Sequence, residues 1–249
     1  SRTDLELVAA QIIAPDRKLA EEYAALTYKS VESRDKKSAE LLKNYILSEF
    51  VPLNGIPRRI MFLVFRGENP CERLFSVVGK ISRADKIRDI KITGETIRDT
   101  YADIVYDNDG SLRYFEPAVL TPPCGNLVDE KLRLFAEAAR SSSNLVESLQ
   151  HDDMRDIERT LVIIKPDNWR YPSSKPGNII DMFSRTGLRI IGCKIYQMSV
   201  ADALKFYGPV KDALRSKLAP KIGKLAKEIL EKEFKITMKY PADAEAKLA

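Results

Sequence analysis

The side chains best suited to chemistry are few and widely spaced. His151 is the only histidine of the 249-residue chain, and it stands in Gln150-His151-Asp152-Asp153-Met154, a polar run typical of a linker or a helix start. A single imidazole excludes mechanisms that need a histidine pair or a histidine-rich metal site. The cysteines, Cys71, Cys124 and Cys193, are odd in number and far apart. They fit neither a disulfide framework nor a zinc site and point to a reducing, cytoplasmic compartment. Positive charge is more abundant. Residues 205–239 hold ten lysines and arginines against four acids, a local +6 in a chain whose total is +5. Such a stripe can attract phosphates or nucleic acid. Here, however, Ile222, Leu225, Ile229 and Leu230 recur at helical spacing, and Lys224/Glu228 and Glu228/Lys232 stand four apart. No aromatic residue separates the basic residues of 211–232 to stack a base. The stripe reads as the solvated face of a helix with Pro220 in its first turn, rather than as a nucleic-acid surface.

The elements that would position these groups follow from patterning. Hydrophobic residues make up 44% and charged residues 31% of the chain, which is ordinary for a soluble globular protein of one or two domains. No apolar run reaches the roughly 18 residues of a membrane span, and the opening Ser1-Arg2-Thr3-Asp4 lacks the apolar core of a signal peptide. The chain also resembles itself. Ser1-Arg2-Thr3-Asp4-Leu5-Glu6-Leu7-Val8 matches Ser184-Arg185-Thr186-Gly187-Leu188-Arg189-Ile190-Ile191 at an offset of 183 residues. Both runs lead into an apolar strand, at 5–13 and 188–196. Each strand precedes a helical pattern that carries a tyrosine, Tyr23 or Tyr207, once the register slips by one. Strand, helix and tyrosine recurring in one order predict a tandem duplication.

The second copy opens with a further β-rich run, 159–164, which ends at Lys165-Pro166-Asp167 and precedes a short amphipathic helix at 178–183. The first copy continues through a strand at 60–65, a helix at 70–78, a strand near 112–120 and a helix near 127–139. Arg140-Ser141-Ser142-Ser143-Asn144 is linker-like, with a short helical pattern at 145–149 after it. These boundaries divide the chain into 1–140, a linker at 141–156, and 157–249. Alternating short strands and helices predict an α/β or α+β sheet with helices packed on one face.

Several of these runs resemble nucleoside diphosphate kinases. Glu158-Arg159-Thr160-Leu161-Val162-Ile163-Ile164-Lys165-Pro166-Asp167 is similar to the opening strand of that family. Gly177-Asn178-Ile179-Ile180, Arg185-Thr186-Gly187-Leu188 and Phe206-Tyr207 continue the likeness. In the first copy, Gly67-Glu68-Asn69 resembles a family turn and Glu95-Thr96-Ile97-Arg98-Asp99 a family Gly-Thr-Ile-Arg-Gly-Asp segment. The resemblance implies ferredoxin-like βαββαβ units in tandem, with a helical insertion at 208–249. It also implies transfer of a terminal phosphate between nucleoside tri- and diphosphates, with Mg2+ and ATP or another nucleotide. Such a reaction needs in-line positioning, cations against the phosphate oxygens and a nucleophile able to hold the phosphoryl group. Lys165, expected at the end of a buried strand, supplies a cation. Arg98 could fork onto a phosphate, and Tyr207 and Tyr23 could hydrogen-bond a phosphate oxygen or the nucleophile. On composition alone, Lys165 is equally a solvated strand end, and either tyrosine is a core residue with its hydroxyl at the surface.

The departures from the family pattern matter as much. The family nucleophile is a histidine in Asn-x-x-His-x-Ser-Asp, whereas residues 113–123 contain no histidine, serine or cysteine, and Glu116 is the nearest nucleophile by type. A family phosphate-binding arginine falls on Phe75, with Arg73 nearby. The first unit therefore reads as degenerate and inactive. The second keeps Lys165 and Tyr207 with no histidine segment of its own, so the catalytic histidine is expected outside this chain. The alternative is a non-catalytic nucleotide-binding or dimerising module. The expected partners are nucleotides and either further copies, as a homo-oligomer, or the second unit, as an intramolecular pseudo-dimer; no membrane is expected.

Overall fold

In the computed structural model, the residues described are 4–81, 94–108, 112–122, 125, 127–146, 157–171, 173–237, 239–240 and 242. His151 and most of the expected linker lie outside them. The chain divides into two compact units, Ser1–Ile195 and Tyr196–Ala249. Residues 157–195 therefore group with residues 1–140 rather than with the helices that follow.

The first unit opens with strand β1 (Glu6–Ile13), which pairs antiparallel with β2 (Ile60–Arg66) from Glu6↔Arg66 to Ile13↔Ile60, with a bulge between Leu7 and Ala9. Helices α1 (Arg17–Val31) and α2 (Lys36–Glu49) fill the connection and pack along each other. Each begins at an aspartate. The carboxylate of Asp16 accepts from the Leu19 N–H at 2.7 Å. That of Asp35 accepts from the Ser38 N–H and hydroxyl at 3.1 and 2.6 Å, capping otherwise orphaned donors. The two bonds from Ser38 hold the Asp35 carboxyl below its ordinary range. On α1 the buried residues are Ala20, Tyr23, Ala24 and Thr27, and on α2 they include Ala39, Leu42 and Ile46. Those three-and-four-residue steps are the stripe a helix must turn inward. Tyr23, Ala24 and Ile46 form the centre of the core, flanked by Leu47, Phe50, Leu120, Leu134 and Phe135.

After β2 come α3 (Pro70–Val78), α4 (Ile97–Tyr101), β3 (Asp103–Tyr106), β4 (Leu112–Glu116) and α5 (Val128–Ser141). Strands β3 and β4 pair antiparallel with Asp103 opposite Glu116. Pro117 ends β4 earlier than the apolar run to Leu120 predicts, because a proline cannot donate to a ladder. α3 is set by Pro70 at its first position and stopped by Gly79 at φ +88°. The described residues thus form a mixed α/β molecule with two small antiparallel sheets.

Three expectations need correction. Residues 159–164 form no strand, and Leu161, Val162 and Ile163 are 78%, 49% and 52% exposed. β-rich composition makes a strand only when a neighbouring ladder takes its N–H and C=O groups, and no bridge joins this run to one. Residues 188–196 likewise form no strand beyond one bridge at Lys194. Leu145 and Val146 are not helical, and the rest of the expected 145–149 helix lies outside the described residues. The rest of this unit is a 3-10 turn at Pro166–Trp169 and α6 (Lys175–Ser184).

The second unit contains α7 (Val200–Tyr207), a 3-10 turn at Gly208–Val210 and α8 (Lys211–Glu233). A reciprocal cap starts α7: the Ser199 hydroxyl oxygen accepts from the Asp202 N–H, and Asp202 accepts from the Ser199 N–H. Pro220 lies inside α8 rather than in its first turn, since the helical pattern already starts at Lys211.

Candidate functional site

The structure buries both candidates that lie within residues 1–140, Arg98 and Tyr23. Arg98 follows Thr96, whose hydroxyl caps α4 by accepting from the Asp99 N–H at 3.2 Å. Arg98 is only 2% exposed. Its Nη1 donates to the Gly79 carbonyl and its Nη2 to the Val119 carbonyl at 2.9 Å, while Nε is buried without a partner. Burial pushes the guanidinium down to about 10. The side chain therefore ties the end of α3 and the segment after β4 to the start of α4. Gly79 is required for that approach: a Cβ there would stand 2.3 Å from the Thr96 Oγ1, and its backbone is left-handed. At 2% exposure the remaining Arg98 donors are closed to a phosphate in solution.

Tyr23 is similarly enclosed. Its ring stacks on Phe50 at 5.9 Å between centroids and meets Phe135 edge-on at 5.0 Å. Burial raises its hydroxyl to about 12, so the expectation of a hydroxyl at the surface is corrected.

Beside it lies a residue that motif reading missed. Lys131 of α5 is 6% exposed, donates to the Ser30 hydroxyl at 3.0 Å and stands 5.7 Å from the centre of the Tyr23 ring. Burial lowers its ammonium to about 8. The signal was in the spacing: Lys131, Leu134, Phe135 and Ala138 fall on one helical stripe, so the core-facing side of α5 includes a lysine.

The candidates that lie within residues 157–249, Lys165 and Tyr207, are exposed. Lys165 is solvent-facing and immediately precedes the Pro166–Trp169 turn, so it does not end a buried strand. Its carbonyl accepts from the Asn168 backbone and side-chain amides at 3.1 and 3.2 Å, which fixes the turn beneath it. Tyr207 ends α7, is 53% exposed and packs edge-on against Phe206 at 5.1 Å. Lys165 belongs to the first compact unit and Tyr207 to the second.

Around the degenerate positions, Arg73 pairs with Glu68 at 3.3 Å and Asp4 at 4.0 Å, and Phe75 is 41% exposed. Glu116 accepts a hydrogen bond from the Tyr114 hydroxyl. Among the described residues no group of three or more histidine, cysteine and acidic side chains could hold a metal ion. No helix among them is long and apolar enough to cross a membrane.

Comparison with known proteins places part of this chain in a family. Residues 158–216 match the family model for nucleoside diphosphate kinase. The chain is 50% identical over 56 residues to a nucleoside diphosphate kinase of Cereibacter sphaeroides, covering 22% of this chain and 39% of that protein. It is 51% identical over 51 residues to that of Campylobacter fetus, covering 20% and 36%. It is 43% identical over 56 residues to that of Bordetella petrii, covering 22% and 38%. No solved structure matches. Residues 158–216 are thus similar to a segment of nucleoside diphosphate kinases. The chain spans about two-fifths of the length of the curated relatives it matches.

Proposed function

We propose that the chain is part of a nucleoside diphosphate kinase-like phosphotransferase in which the second copy handles the nucleotide and the first supports it. The observation that carries this reading is the family match over 158–216, which contains both Lys165 and Tyr207. Both are exposed, whereas Arg98 and Tyr23 are buried in the first copy. In this reading the Lys165 ammonium meets the terminal phosphate oxygens, where a cation offsets charge that builds during transfer. Tyr207 is a separate candidate to hydrogen-bond a phosphate oxygen, resting on the family match and on no contact with Lys165. The imidazole that accepts the phosphoryl group comes from residues outside 1–249. A magnesium ion enters this reading as part of the nucleotide substrate, carried on its phosphates.

The burial of Arg98 and Tyr23 favours the second reading for the first copy alone, a unit that serves as a non-catalytic surface. Two βαββαβ units in tandem, paired within one chain or with other copies, belong to the same proposal; the self-similarity at 183 residues supports them.

Calorimetric titration of the 249-residue chain with a magnesium-loaded non-hydrolysable ATP analogue tests the assignment. Lys165→Ala is expected to weaken binding about tenfold, equivalent to about 1.4 kcal/mol. Arg98→Lys is expected to leave affinity unchanged in the folded fraction. Unchanged affinity in Lys165→Ala would refute it.

A further inference from the structure

Helix α8 leaves an apolar stripe uncovered. Its covered side carries Gly223, which is buried, and Ala219, Ala226 and Leu230, which are half-buried. At about 100° per residue, Leu214, Leu218, Ile222, Leu225 and Ile229 fall on a separate arc of roughly 80°. These five are between 43% and 58% exposed. From Leu218 to Ile229 the steps run four, three, four, the alternation that seats one helix against another. A contiguous apolar patch of this kind marks a contact surface.

The charges that border the stripe identify what covers it. One border carries Lys221 and Glu228, the other Arg215 and Glu233, and all four are exposed. On an identical helix laid antiparallel, with Ile222 facing Leu225 and Leu218 facing Ile229, the stripe meets itself and equivalent borders adjoin. Lys221 then lies beside Glu228 of the other copy, and Arg215 beside Glu233. Two-fold symmetry repeats each pair. The parallel arrangement sets Arg215 against its own counterpart and Glu228 beside Glu233. In the antiparallel pair Lys232, at the end of the stripe, approaches Lys217 of the other copy, a cost that two long side chains reduce by reaching into solvent. Exposed ion pairs are individually weak, so the apolar layers hold the helices together and the charges select their direction.

We infer that α8 is a self-association surface through which two copies of this chain pair antiparallel, centred between Ile222 and Leu225. Most of α8 lies past residue 216, where the family match ends. The contact therefore belongs to this chain's own helix and is independent of phosphotransfer.

Sedimentation of the 249-residue chain over a range of concentrations tests it. The unmodified chain is expected to pass from monomer to dimer, and Leu225→Glu to raise the dissociation constant at least about tenfold. Lys221→Glu and Glu228→Lys are each expected to weaken the dimer by about tenfold, since each change touches two pairs. Combined in one chain, they are expected to restore it, which a misfolded variant would not do. Direction is read by disulfide trapping in a background of Cys71→Ser, Cys124→Ser and Cys193→Ser. A mixture of Leu218→Cys and Ile229→Cys chains is expected to give linked dimers with one of each, whereas Leu218→Cys alone stays reduced. A chain that is monomeric at every concentration, or a dimer indifferent to Leu225→Glu, would overturn the inference. So would a double charge variant as weak as the single ones, or a Leu218→Cys chain that links to itself.

Discussion

Arg98 and Lys131 are cations enclosed by the fold without a carboxylate bonded to either in the described contacts, and their surroundings determine what each can do. The two guanidinium bonds to the Gly79 and Val119 carbonyls make Arg98 a clamp between loops. Arg98→Met should leave both carbonyls without their donor and destabilise the chain by roughly 2–4 kcal/mol in urea unfolding. A change below about 0.5 kcal/mol, as at an ordinary surface site, would contradict the clamp. Lys131 acts through its proton. Its folded value of about 8 lies below the ordinary 10.5. Below pH 8 both states hold the proton, and the burial penalty is constant. Between those two values the unfolded chain keeps a proton that the folded chain has released, so stability rises with pH across that window. Lys131→Met is expected to add about 2 kcal/mol at pH 7, somewhat less than the shift itself implies because Ser30 loses its donor. It should also flatten the rise; unfolding curves at pH 7 and 9.5 check both. Of these two roles the sequence shows half. Helical spacing puts Lys131 on the apolar stripe of α5, whereas the Thr-Ile-Arg motif points Arg98 at a phosphate. Its true acceptors belong to loops 19 and 21 residues away, which no local pattern reveals.

Element by element, legibility follows how local the cause is. α3 runs from Pro70 to Val78 as its proline start and glycine stop predict. β1 and β2 follow their apolar runs. The run at 159–164 has equal β propensity but no ladder, since a strand is a property of two segments. α8 shows the reverse: its apolar spacing carries the helix through Pro220, a residue that normally breaks one. Pro220 withholds the N–H that the Ser216 carbonyl would accept. Pro220→Ala should therefore strengthen α8 by about 1–3 kcal/mol, seen as higher helical ellipticity and a later melt. Lower ellipticity would mean that the proline is favourable where it stands.

For the whole molecule, the alternation of short strands and helices predicts the mixed α/β class that the described residues have. The compact units could not be read from the same patterns. The expected boundary at 141–156 follows linker composition, yet residues 157–195 associate with residues 1–140 through hydrogen bonds such as Arg59 to Ile190. Those long-range bonds have no signature in sequence spacing. Likewise, the match over 158–216 identifies a family segment, and its exposed Lys165 carries the functional proposal. The most direct measurement is labelling with γ-phosphate-labelled ATP of an extended chain that carries residues past Ala249. The account predicts acid-labile label on a histidine outside 1–249, strongly reduced by Lys165→Ala. Label on a residue within 1–249, or equal labelling with and without the Lys165 ammonium, would contradict it.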